Sequence, residues 1–166
     1  MSDDVREALE VDVLFVGAGP ANLASALRLA QLIENHNATA SSPISPMIAM
    51  IEKGAEVGDH ILSGAVLDPR AMDELLPEFR SECEGFATPV SGDQLWFLTE
   101  GGGYREPILP PVMRNVGQFV VGLNGLTRML GQWVADTPEA TGFFLWDTLF
   151  VARDPQVFGH ICKHLL

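Results

Sequence analysis

The sequence predicts a mixed α/β fold built on a parallel βαβ unit, with additional β-strands after it. Three observations predict it. An apolar run at 11–16 stops at a glycine turn, an apolar stripe at helical spacing follows, and a second apolar run at 47–51 closes the unit. Strand, turn, helix and strand in that order make one βαβ crossover.

The first run, Val11-Asp12-Val13-Leu14-Phe15-Val16, is β-branched and apolar almost throughout. Such continuity suits a parallel strand covered on both faces, where neither side needs to be polar. Gly17 ends it. Pro20 fits the first turn of a helix, where its missing N–H costs nothing. Leu23, Ala26, Leu27, Ala30 and Ile33 then recur every three or four residues, the apolar face of that helix. Residues 35–46 are rich in Asn, Ser, Thr and Pro and predict a surface loop. Met47-Ile48-Ala49-Met50-Ile51 is the second strand, closed by Glu52-Lys53-Gly54.

Later elements are read more coarsely. Ala71, Leu75 and Phe79 would share one face of a short helix over 70–79. Residues 94–99 and 118–123 read as strands, with Gly101-Gly102-Gly103 as a turn. Leu126, Met129, Leu130, Trp133 and Val134 mark a second amphipathic helix. Phe143-Phe144-Leu145-Trp146 and Leu149-Phe150-Val151 are candidate strands of the central sheet. The chain therefore divides into a polar lead-in at 1–10, a body at 11–141 and a divergent hydrophobic tail at 142–166.

Composition bounds the function. The 166 residues are 47% apolar, which excludes a disordered chain. The net charge is −12 and only two of the ten bases are lysines, Lys53 and Lys163, so the surface repels phosphate backbones and nucleic acid is not an expected partner. Two cysteines, Cys83 and Cys162, form no C-x-x-C pair and read as ordinary thiols. His160 and His164 are four residues apart, too few ligands for a metal site, and none is expected. The acidic opening Met1-Ser2-Asp3-Asp4 is unlike a signal or transit peptide, and no apolar run approaches the ~20 residues of a transmembrane helix. The expected location is the cytoplasm.

The chemistry is concentrated at Gly17-Ala18-Gly19-Pro20-Ala21-Asn22, where strand hands over to helix. A dinucleotide site needs glycine first for a tight turn and second so that a pyrophosphate can approach the backbone. The helix start then aims free N–H groups and its positive dipole end at the phosphates. Both glycines are present; the third position is Asn22, giving G-x-G-x-x-N, and its side chain must find room where glycine normally allows close helix–strand packing. Glu52, at the end of the next strand, is placed to accept hydrogen bonds from an adenosine ribose. It lies 30 residues after Asn22 against an expected offset of about 20, an excess the 35–46 loop can absorb. The bland alternative is that both glycines serve only a turn and Glu52 is a solvated strand end.

The glycine turn, the segment Gly58-Asp59-His60-Ile61-Leu62-Ser63-Gly64-Ala65-Val66-Leu67-Asp68-Pro69, and the later stretches Asp93-Gln94-Leu95-Trp96-Phe97-Leu98-Thr99-Glu100 and Asn115-Val116-Gly117-Gln118-Phe119-Val120-Val121 together resemble electron transfer flavoprotein–ubiquinone oxidoreductase, in the family's order. The likeness covers residues 11–136. It implies a Rossmann-like FAD/NAD(P)-binding βαβ core, incomplete relative to the family's whole fold. That family passes electrons from reduced electron transfer flavoprotein to ubiquinone, using FAD and a [4Fe–4S] cluster, at a membrane surface. By the same resemblance Gly17, Ala18, Gly19, Pro20, Ala21 and Asn22 would line the FAD pyrophosphate. Glu52, with Lys53 beside it, would hold the ribose, and His60, Ser63 and Gly64 would approach the flavin.

Four thiolates are needed for the cluster and the chain has two cysteines, so the cluster's ligands are absent from it. The expected function is the N-terminal FAD-binding part of such an enzyme, inactive alone. The alternatives are a separate module binding NAD or ADP-ribose and a gene fragment without activity. No general acid, base or nucleophile is assigned, since the redox chemistry of such proteins belongs to the cofactor.

Overall fold

The computed structural model describes residues 10–137 and, for the backbone, 143–146. The lead-in before Glu10 and the tail readings that involve Phe150, His160, Cys162 and His164 lie outside the described residues. The chain forms two compact units, Met1–Asp59 with Thr127–Leu166, and His60–Leu126.

In the first unit, β1 (Val13–Val16) leads through the glycine turn into α1 (Pro20–Thr39) and on to β2 (Ile48–Glu52). The strands pair in parallel, from Val13 opposite Ile48 to Val16 opposite Ile51. A further strand, at Phe143–Trp146, pairs in parallel with the other edge of β2, from Ala49 opposite Phe143 to Glu52 opposite Trp146. The order within this sheet is therefore first, second, third strand, the arrangement of one half of a doubly wound sheet. Leu23, Ala26, Leu27, Ala30 and Ile33, the five residues of the helical stripe, are all buried.

Two local expectations are corrected here. Full burial holds for Ile48, Ala49 and Met50 of β2 but not for β1, where Val16 is 51% exposed. The reason is position: among the described residues β2 is the middle strand and β1 is an edge. The helix also continues through residues 35–39, which composition assigned to the loop. Asn37, in its last turn, donates from Nδ2 to the Ile44 carbonyl and accepts from the Ile44 N–H, each at 2.8 Å. A polar side chain can thus extend a helix by pinning the returning loop, and the low propensity of Asn is a small term against that.

The second unit is antiparallel. β3 (Gly64–Leu67) and β4 (Ala87–Pro89) flank β7 (Phe119–Gly122), while β5 (Trp96–Thr99) and β6 (Gly102–Arg105) form a separate hairpin. Phe97 and Tyr104, cross-strand partners in the hairpin, stack with ring centroids 5.1 Å apart. The helix expected over 70–79 is two short ones, α2 (Arg70–Leu75) and α3 (Phe79–Glu82). Pro77 causes the break. It drives the preceding Leu76 to extended dihedrals of −136° and 94°. The buried residues are consequently Met72, Leu76 and Phe79 rather than Ala71 and Leu75. Phe79 meets Phe119 edge-on at 5.8 Å, a favoured aromatic geometry. Cys83 is a buried free thiol. The second amphipathic helix, α4 (Leu123–Asp136), buries Leu126, Leu130 and Val134.

Candidate functional site

The site is built where β1 ends. Gly17 has φ 90°, a conformation that costs a side-chain-bearing residue, and it lies in the turn between β1 and α1. Its N–H donates to the Ile51 carbonyl at 2.7 Å, extending the β1–β2 ladder by one bond into the turn. Gly19 is the N-cap of α1 and Pro20 the first helical residue. Leu23 N–H closes the first helical bond on the Gly19 carbonyl at 3.0 Å. The first turn of a helix presents N–H groups without intrahelical acceptors, here those of Ala21 and Asn22, since Pro20 has none.

Gly19 is informative in a different way from Gly17. Its φ of −80° is open to any residue, and a Cβ built on it meets nothing within 4 Å. Neither backbone conformation nor packing within the chain requires glycine there. The space a Cβ would take is open at the start of the helix, which fits close approach of an anion.

Glu52 closes the site from β2. Its Oε2 accepts from the Ala18 N–H at 2.6 Å and its Oε1 accepts from the Gly54 N–H at 2.7 Å. One carboxylate therefore ties the glycine turn to the loop after β2. Asn22 finds its room by turning backwards: Nδ2 donates to the Val16 carbonyl at 2.9 Å and to the Gly17 carbonyl at 2.8 Å.

Gly17, Ala18, Gly19, Pro20, Ala21, Asn22 and Glu52 are thus brought together in one unit, and the exposed Lys53 follows Glu52 directly. His60, Ser63 and Gly64 belong to the second unit, where all three are exposed and the Leu123 N–H donates to the Ser63 carbonyl. Sequence reasoning missed two participants. Gly54 is the second donor to Glu52, and the Glu-x-Gly spacing of a short side-chain-to-backbone turn was the available signal. Ile51 contributes through its carbonyl, which no side-chain pattern reveals.

Elsewhere in the second unit, Asp93 accepts from the Asn115 backbone N–H at 2.8 Å and from its Nδ2 at 2.9 Å. Those bonds, the backbone one foremost, hold the Asp93 carboxyl below its ordinary range. No group of three or more His, Cys, Asp or Glu among the described residues is arranged to hold a metal ion. No described helix is long and apolar enough to cross a membrane.

Parallel strands in sequential order, joined through a glycine turn and a helix, make this a mixed α/β protein consistent with a partial Rossmann-like fold. No protein-family profile matches the chain. Individual proteins do. The chain is 43% identical over 158 residues to the mitochondrial electron transfer flavoprotein–ubiquinone oxidoreductase of Arabidopsis thaliana, covering 94% of this chain and 24% of that protein. It is 42% identical over 130 residues to the probable electron transfer flavoprotein–ubiquinone oxidoreductase of Acinetobacter baylyi, covering 76% and 22% respectively. The mitochondrial protein of Bos taurus is 41% identical over 138 residues, 82% of this chain and 21% of its own length. The chain belongs to the electron transfer flavoprotein–ubiquinone oxidoreductase family, as an N-terminal portion spanning under a quarter of these relatives.

Proposed function

We propose that this chain is the FAD-binding portion of an electron transfer flavoprotein–ubiquinone oxidoreductase and holds the adenosine diphosphate half of the cofactor. The observation that carries this reading is the open surface over Gly19 at a helix start, with Glu52 tied to the same turn. The diphosphate would lie across Gly17–Ala18–Gly19 and face the N–H groups of Ala21 and Asn22. The ribose would lie against Glu52, whose two oxygens each keep a lone pair beyond the bonds to Ala18 and Gly54. Lys53 adds a positive charge beside it. FAD, when bound, supplies the redox chemistry; the chain's own residues bind and orient it.

Reduced electron transfer flavoprotein and ubiquinone are the partners of the whole protein in this reading. The chain alone does not complete that transfer, because its two cysteines cannot supply four cluster thiolates. Trp96, Phe97, Leu98, Ile108 and Val112 of the second unit are exposed apolar side chains available for peripheral membrane contact.

Titration of the purified chain with FAD, read by quenching of flavin fluorescence, tests the proposal. Saturable FAD binding that NAD displaces only at large excess supports it. NAD or ADP-ribose binding more tightly than FAD replaces it with a separate nucleotide module, and the absence of binding by any of the three refutes both.

A further inference from the structure

We propose that Asn22 is a positioning residue that locks the glycine turn in its phosphate-receiving geometry before any ligand arrives; this rests on the flavin-binding reading above. Two peptide planes flank Gly17, and each is held at both ends. The Val16–Gly17 plane has its carbonyl on Asn22 Nδ2 at 2.9 Å and its N–H on the Ile51 carbonyl at 2.7 Å. The Gly17–Ala18 plane has its carbonyl on the same Nδ2 at 2.8 Å and its N–H on Glu52 Oε2 at 2.6 Å. Because a peptide unit is planar, fixing its oxygen also fixes the direction of its N–H. Both partners of Asn22 are acceptors, so only the amide nitrogen end suits them, and its two hydrogens serve one carbonyl each.

The consequence is a division of labour at the third motif position. A glycine there would let helix and strand approach but would leave both carbonyls to solvent, with each plane held at its N–H end alone. Asn22 occupies that space with a double donor. It also occupies the negative ends of the two carbonyls, which would otherwise be left to repel a diphosphate. Ordering this turn is then a cost met in folding rather than in binding.

The test uses the full chain without ligand and two variants, Asn22→Gly and Asn22→Ala. Glycine lowers and alanine raises helix propensity, so an effect common to both belongs to the lost amide. Amide hydrogen exchange is followed by NMR. Exchange at Gly17 and Ala18 is expected to quicken about tenfold in both variants, with the β2 amides unchanged. FAD affinity is expected to fall about tenfold in both. Unchanged exchange at Gly17 and Ala18 overturns the role of Asn22, as does faster exchange with undiminished FAD affinity. If the unsubstituted chain binds no FAD, the flavin reading fails separately, and with it the claim that the lock serves a phosphate.

Discussion

Replacing Glu52 by glutamine isolates what the carboxylate does before any cofactor binds. Both oxygens act as acceptors, for Ala18 N–H at 2.6 Å and Gly54 N–H at 2.7 Å. Glutamine keeps one acceptor and turns an NH₂ toward the other N–H, so one bond is lost and two donors confront each other. A hydrogen bond to a charged group is worth about 1.5–3 kcal/mol, and an orphaned, partly buried N–H adds a desolvation cost of about 1–3 kcal/mol. The two overlap, so a loss of about 2–3 kcal/mol is expected from Glu52→Gln. For a chain of this size that is a fall of about 5–10 °C in Tm. Urea denaturation and thermal melting followed by circular dichroism measure it, with Lys53→Gln as a control at the neighbouring exposed position. A loss below about 0.5 kcal/mol for Glu52→Gln, the range of an ordinary surface substitution, would refute the tie between the two loops.

Gly17→Ala should destabilise the chain by about 1–2 kcal/mol although nothing lies within 4 Å of the new methyl, because the cost is the positive φ; urea denaturation checks it. Phe79→Ala removes a buried ring that meets Phe119 edge-on and should cost about 3–5 kcal/mol, read by the same assay. Acid should weaken the second unit. The carboxyls of Asp68 and Asp73 are lowered chiefly by side-chain hydrogen bonds from Arg70 and Arg80, and that of Asp93 by Asn115. Groups lowered by folding contribute stability that is fully present above the unfolded value near 3.8 and is lost as pH falls through the lower folded values. Stability measured from pH 6 downward should therefore begin to fall as that value is approached, and Asp93→Asn should flatten the decline.

The βαβ unit was legible because its elements obey single periodicities: the continuous apolar runs of β1 and β2, and the five-residue stripe of α1, all depend on local spacing. The G-x-G turn was legible for the same reason, since strand, glycine and Pro20 are contiguous. What sequence left dark depended on partners far along the chain or on backbone atoms. Asn22 reads as a damaged motif position until its two carbonyl acceptors are seen. Glu52 reads as a ribose ligand, and its structural task becomes visible only beside the Ala18 and Gly54 N–H groups. The break at Pro77 was available in the sequence, since a residue before proline leaves the helical region, but the apolar pattern at 71, 75 and 79 outweighed it. The half-exposure of β1 follows from its place in the sheet, which no local pattern encodes.

The claim that an anion-bearing cofactor approaches the backbone at Gly19 is tested most directly by Gly19→Ala. The added methyl meets nothing within 4 Å among the described residues, so melting should shift by no more than about 1 kcal/mol, the usual span for a helix cap. It fills the surface over which the diphosphate would lie, so FAD affinity should fall at least about tenfold. A variant that melts like the original and binds FAD equally well would contradict the account.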